Sequence, residues 1–205
     1  MKRHPMNSRT LPRRAQRGVT LIVVLLILVV VTILGIGGVQ IALLGERSTR
    51  NDRDYLIASQ AAEAGLVDGE IDIDGPLTAP AQRVNTFAPN NNGVFVTGCG
   101  ADVATMGLCA PSPAGAQNEV WQTVNFTGSP SVEFGKYSGR VFDAGKSGLR
   151  SFQAPRYIIE VVEDRTPGVE VTIPPPVLYR VTAMGFGPRP DTQVVVQSIY
   201  RKRLP

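Results

Sequence analysis

Most of the residues whose types and spacing could do chemistry lack a partner to do it with. Cys99 and Cys109 stand ten residues apart in a Gly-rich stretch. In an oxidising compartment two such thiols pair, and in a reducing one they stay free. As a metal site they are poor, with no His nearby. The single His, His4, sits near the N-terminus, which removes any Ser-His or Cys-His nucleophile from the rest of the chain. Gly145-Lys146-Ser147 has the tail of a phosphate-binding loop, but the first Gly of that pattern would fall at Arg140, and no buried apolar strand leads into it. Glu70-Ile71-Asp72-Ile73-Asp74-Gly75 has the opening of a calcium loop, yet Ala81 takes the place of the bidentate Glu, so the stretch reads as a solvated acidic helix end. Asn125-Phe126-Thr127 fits the glycosylation pattern, whose meaning depends on the source organism. These residues supply no catalytic constellation, cofactor site or metal site.

The remaining candidate is a peptide bond. At Arg17-Gly18-Val19 a basic leader ends in Gly and an uncharged stretch begins at once. Val19 to Leu44 holds no charge, and polarity only at Thr20, Thr32 and Gln40. As a helix these 26 residues would run roughly 39 Å, enough to cross a hydrocarbon core of about 30 Å with some tilt. A secretory signal is excluded by length and by the exit, Leu43-Leu44-Gly45-Glu46-Arg47, which offers no small-residue cleavage site. Residues 1–18 carry six Lys/Arg and no acid, whereas both signs mix after the segment. The positive-inside rule then leaves the N-terminus in the cytoplasm and exports residues 45–205. Without the leader, 15 basic residues face 17 acidic ones. The high pI therefore reflects a topogenic leader and predicts no nucleic-acid partner. Export also favours a disulfide between Cys99 and Cys109, with free thiols as the alternative. Closing so short a loop would stabilise by about 2–3 kcal/mol in the chain-entropy model.

A basic leader, a Gly and an uncharged helix together resemble the class III signal of type IV pilins and type II secretion pseudopilins. Gln16-Arg17-Gly18-Val19-Thr20-Leu21-Ile22, Gly45-Glu46-Arg47 and the run from Asn51 through Gln60-Ala61-Ala62-Glu63-Ala64 to Leu66 are similar to the N-terminal region of PilX-type minor pilins. Tyr179 to Gly187 and Thr192 to Arg201 resemble that family's closing strands. The resemblance covers both ends, about half the chain, and leaves roughly 76–150 unmatched. It implies cleavage between Gly18 and Val19 by a prepilin peptidase, N-methylation of Val19 and no enzymatic activity. The implied partners are the inner membrane, other minor pilins, the pilus assembly machinery and a large PilY-type tip adhesin. One position departs from the pattern. Pilins generally carry Glu as the fifth residue from the cut, where this chain has Val23. A carboxylate in lipid costs on the order of 2–4 kcal/mol and is kept for a partner. Its absence fits a specialised subunit at a place where no such pairing is needed.

The elements follow in order: a leader over 1–18, a membrane helix over 19–44, an amphipathic continuation over 45–70 and an exported head over 76–205. Beyond Gly45 the spacing of Tyr55, Ala58, Ala62 and Leu66 predicts a stripe that packs on a sheet, with Arg50, Asp54, Glu63 and Glu70 elsewhere on the wheel. The helix is expected to end near Gly69, with Gly75-Pro76 closing the region. Gly35-Ile36-Gly37-Gly38 is either a weak point or a packing face. Residues 76–131 are rich in turn formers, with Asn90 to Gly93 a turn and short strands expected at Val94 to Thr97 and Val120 to Phe126. Tyr157 to Val162, Val177 to Phe186 and Thr192 to Arg201 are the clear strands, with Phe134 to Phe142 a fourth. Thr166-Pro167-Gly168, Pro174-Pro175-Pro176 and Gly187 to Asp191 part them, and short connections favour antiparallel neighbours. The fold class is α+β: a pilin-like long helix packed on an antiparallel β-sheet head of about 130 residues, enough to bury a core.

Three functions compete. The first is a minor pilin that primes a type IV pilus and sits at its tip, the second a type II secretion pseudopilin, the third an uncleaved membrane-anchored binding domain.

Overall fold

The computed structural model describes residues 18–75, 79–88, 91–113, 115–143, 150–163 and 177–202. The leader before Gly18, Pro76, Asn90, Gly145-Lys146-Ser147, Thr166-Pro167-Gly168 and Pro174-Pro175-Pro176 lie outside the described residues. The chain forms two compact units, 1–49 and 50–205.

Helix α1 covers Val19–Asp74, 56 residues. In the first unit its described side chains face outward, with Leu21 at 74% and Ile41 at 72% exposure. The element is long and apolar enough to cross a membrane. The helix stays continuous through Gly35, Gly37 and Gly38. Its end lies beyond the point expected from the sequence. Gly69 stays helical because it is a contact, not a cap: a Cβ there would stand 2.6 Å from Val181 Cγ1. The stop comes at Gly75, whose φ of 114° lies in the left-handed region that side chains disfavour.

In the second unit, α1 packs on a five-stranded sheet built from β1 (Leu108–Cys109), β2 (Val132–Glu133), β3 (Arg156–Glu163), β4 (Val177–Phe186) and β5 (Gln193–Arg201). The order is β1-β3-β4-β5, and β2 also pairs with β3. The β2–β3, β3–β4 and β4–β5 pairs are antiparallel, the last across the short connection expected from the sequence. The β1–β3 pair is parallel, with Leu108 opposite Ile159, so the sheet is mixed and not purely antiparallel. Strand β1 is only two residues long, and its place on β3 is set by the Ile159 amide donating to the Gly107 carbonyl at 2.8 Å.

Period-two alternation divides the sheet into two faces. Tyr157 and Ile159 of β3, with Tyr179, Val181 and Ala183 of β4, join Ile73 of α1 and Phe87, Phe95 and Tyr137 from the connections in the main core. On the opposite face Ile158 and Phe186 meet Cys99, Cys109, Val120 and Phe126. The helix approaches closely because its buried residues are small. Gly185 lies so near that a Cβ would stand 2.1 Å from the Ala62 amide nitrogen and 2.2 Å from the Ala58 carbonyl oxygen.

Three expectations in the loop-rich region fail. Val120 to Phe126 is not a strand: Val120–Thr123 is a short helix, α2, held by a capping box in which Glu119 and Gln122 satisfy each other's backbone. Phe134 to Phe142 is not a strand either, because β2 ends at Glu133 and the chain turns, with Gly135 and Gly139 at positive φ. Of Val94 to Thr97, only Val96 makes a bridge, to Cys109.

Candidate functional site

The residues singled out in the sequence fall in two places. Gly18 and Val19 open the first unit. Gly18 is exposed and non-helical, and its carbonyl accepts the Leu21 amide at 3.2 Å in the first turn. Nothing stands within 4 Å of where its Cβ would be, and Val19 is 65% exposed. Gly18 is thus small and unobstructed, and the helix begins at the next residue. Val23 is likewise an outward position of α1. Cys99 and Cys109 lie in the second unit and are bonded to each other, with Cα atoms 4.0 Å apart.

Sequence reading missed the charged residues that organise the second unit. The buried stripe of α1 is Asp54, Ala58, Ala61, Ala62, Gly65, Asp68, Gly69, Asp72 and Ile73, rotated from the expected one so that Tyr55 is 57% exposed. Asp54 lies on the stripe, not elsewhere on the wheel, and residues 70–74 are not a solvated acidic end. Each carboxylate ties down a different segment. Arg83 donates three hydrogen bonds to Asp72, at 2.6 to 3.1 Å, and Tyr157 donates a fourth at 2.9 Å. Asp68 accepts from the Gly135 amide at 2.7 Å and from the Ser138 hydroxyl. Glu70 accepts from Ser198, and Asp74 from the Tyr200 hydroxyl, both on β5. Asp54 accepts from Arg189 in the β4–β5 turn at 3.2 Å.

The geometry at Arg83 is that of an ionised pair. Burial opposes its charge, but the hydrogen bonds and the charge of Asp72 outweigh that and hold the guanidinium above its ordinary range. The same group donates to the Met106 carbonyl at 2.7 Å and lies 3.8 Å from the centre of the Tyr137 ring. Burial pushes the Asp68 carboxyl up, against the pull of Ser138, Gly135 and Arg140. On the opposite face of the sheet, Glu160 is fully buried and held by Arg180 at 2.9 and 3.0 Å, and Arg180 reaches on to Glu119 at 3.2 Å. Apart from the exposed Glu119 these groups are largely buried, and all are paired within the fold; among the described residues no group of His, Cys, Asp and Glu could hold a metal.

A helix apolar enough for a membrane, whose later half is clasped by a sheet through a small-residue seam, defines a membrane-anchored α+β subunit of the pilin class. Comparison with known families carries this further. Residues 84–202 match the family model described as type IV pilus assembly protein PilX, C-terminal, and residues 17–67 match PilX N-terminal. The chain belongs to the PilX family of type IV pilus minor pilins, a structural and not an enzymatic family. No curated protein and no solved structure matches it.

Proposed function

We propose that this minor pilin is inserted in the bacterial inner membrane with its N-terminus in the cytoplasm and its head in the periplasm. A prepilin peptidase cuts between Gly18 and Val19, Val19 becomes N-methylated, and the subunit joins other minor pilins to prime pilus assembly and form the fibre tip. The observation that carries this reading is the open Gly18–Val19 junction, directly followed by the uncharged part of α1. The tip place is supported by Val23. Between Val19 and Leu44 the chain has no carboxylate to pair with a neighbour's new amine, so addition of the subunit in mid-shaft loses a stabilising contact. A PilY-type adhesin is the partner such a tip would carry. The PilX matches favour a pilus over a type II secretion machine.

Intact-mass measurement of membrane-extracted protein tests the processing. The expected chain starts at methylated Val19, and one that retains Met1 or starts after Leu44 overturns the cleavage. Immunogold labelling of sheared pili tests the place. Label along the whole shaft sinks the tip assignment, and unchanged pilus numbers after gene deletion sink the priming role.

A further inference from the structure

The loop closed by Cys99 and Cys109 touches both sides of the sheet. Within β1, Cys109 turns toward Phe126 and Phe186, and Leu108 enters the main core with Ile159. Between the cysteines, residues 101–104 are exposed, and what the loop gives the rest of the head is a set of carbonyl oxygens. Met106 and Ala104 accept from Arg83 at 2.7 and 3.4 Å, and Val103 accepts from the Tyr137 hydroxyl. Arg83 divides its donors between two segments. Nη1 takes the loop carbonyls, while Nε and Nη2 hold Asp72 of α1. The loop depends on its sulfur bond for its backbone. Cys99 has a φ of 70°, in the left-handed region that a non-glycine residue rarely adopts, directly after Gly98 at 76°. Such a conformation persists only while its surroundings hold it, and the bond to Cys109 does so at the base of the loop.

We propose that the Cys99–Cys109 bond is an oxidative latch on the end of α1. Closing it takes two electrons and two protons from the two thiols and passes them to a disulfide-bearing oxidant, which leaves as a dithiol. With the bond closed, the loop carbonyls stand where Nη1 of Arg83 needs them, and the rest of the planar guanidinium is aimed at Asp72. With the bond open, Cys99 relaxes and the carbonyls move off. A buried guanidinium short of acceptors then loosens its hold on the last turn of the helix. Cys99 is 8% exposed and Cys109 fully buried, so the closed latch is slow to reopen. That the oxidant meets the chain after export rests on the proposed function; the coupling of the bond to Asp72 does not.

The test is amide hydrogen exchange on the full-length protein in detergent micelles. It compares the oxidised protein, the protein reduced with excess dithiothreitol, and the double variant Cys99→Ala with Cys109→Ala. Opening the bond should speed exchange over residues 70–75 roughly tenfold, as for the loss of one hydrogen bond to a charged group, while β4 and β5 keep their protection. Re-oxidation should restore the slow rate. Arg83→Lys has a single nitrogen that cannot serve Asp72 and the loop together. In that variant, opening the bond should loosen 99–109 as before but change 70–75 by less than about twofold. Exchange at 70–75 that ignores the bond in the wild type, or that responds equally in Arg83→Lys, overturns the latch. Protection lost evenly over β4 and β5 also overturns it, since the bond then serves the whole head. These rates do not depend on where the chain resides, so they stand or fall apart from the export reading.

Discussion

Replacing Arg83 with Met keeps most of the side-chain length and removes the charge that Asp72 was built to meet. Breaking a buried pair from one side typically costs about 3–5 kcal/mol, because the remaining charge stays buried without compensation. Here the loss extends further. The carbonyls of Met106 and Ala104, which Arg83 holds at 2.7 and 3.4 Å, lose their donor, and the Tyr137 ring loses its cation. We therefore expect about 4–5 kcal/mol, a large part of the roughly 5–15 kcal/mol that holds a domain together. Urea unfolding of the full chain in detergent micelles, followed by fluorescence of the single Trp, Trp121, reads the loss. With a slope of about 2 kcal/mol per molar urea, the midpoint should fall by about 2 M. Adding Asp72→Asn removes the orphaned charge while keeping an acceptor for Tyr157, and should recover about half of the loss. A single variant that loses less than about 1 kcal/mol, or a double variant no more stable than Arg83→Met, would refute the argument that the ion pair organises the head.

Gly185→Ala drives a methyl into the backbone at Ala58 and Ala62, so the seam must open; a loss of about 3 kcal/mol or more is expected in the same unfolding assay, and near-neutral behaviour contradicts so close an approach. Cys99→Ser should lower stability by about 2–3 kcal/mol and leave membrane insertion unchanged, as checked by urea midpoint and carbonate extraction. The Asp68 carboxyl is raised by burial, so its contribution is fully present below the ordinary carboxylate range and is lost as pH rises through its folded value. The stability of the wild type relative to Asp68→Asn should therefore fall as pH rises from the acid end toward neutrality, and a difference that grows with pH would contradict the sign.

The sequence was most legible where one physical signal dominated. Val177 to Phe186 appears as β4 with the same boundaries, because a β-rich run between turn formers admits few readings. The apolar part of α1 was equally plain. The later part of the helix was misread because alanines and aromatics were allowed to define the stripe. Asp54, Ala58, Ala61, Gly65, Asp68 and Asp72 repeat at intervals of three and four, and that spacing alone places the aspartates on the buried face. Hydropathy argued against it, since a buried Asp is tolerable only when donors arrive from elsewhere, and Arg83 and Ser138 come from loops that show no periodicity. Alternation over Val120 to Phe126 is too short to tell a strand from a helical turn, and the Glu119–Gln122 capping box decides for helix over Val120–Thr123. The parallel β1 rests on two residues and a glycine carbonyl, too little to leave a pattern.

The seam between α1 and the sheet has a mechanical consequence. From Asp54 to Asp74 the contact extends over roughly 30 Å of helix, with the Arg189 tie at one end and the Arg83 and Tyr200 ties at the other. A load applied along the helix axis would reach the sheet as shear, spread over the whole seam, and the ties would have to fail together instead of unzipping one by one. The same head pulled sideways from α1 would meet its contacts in sequence and give way at much lower force. A subunit joined to its filament through this helix is thus built to bear tension in one direction.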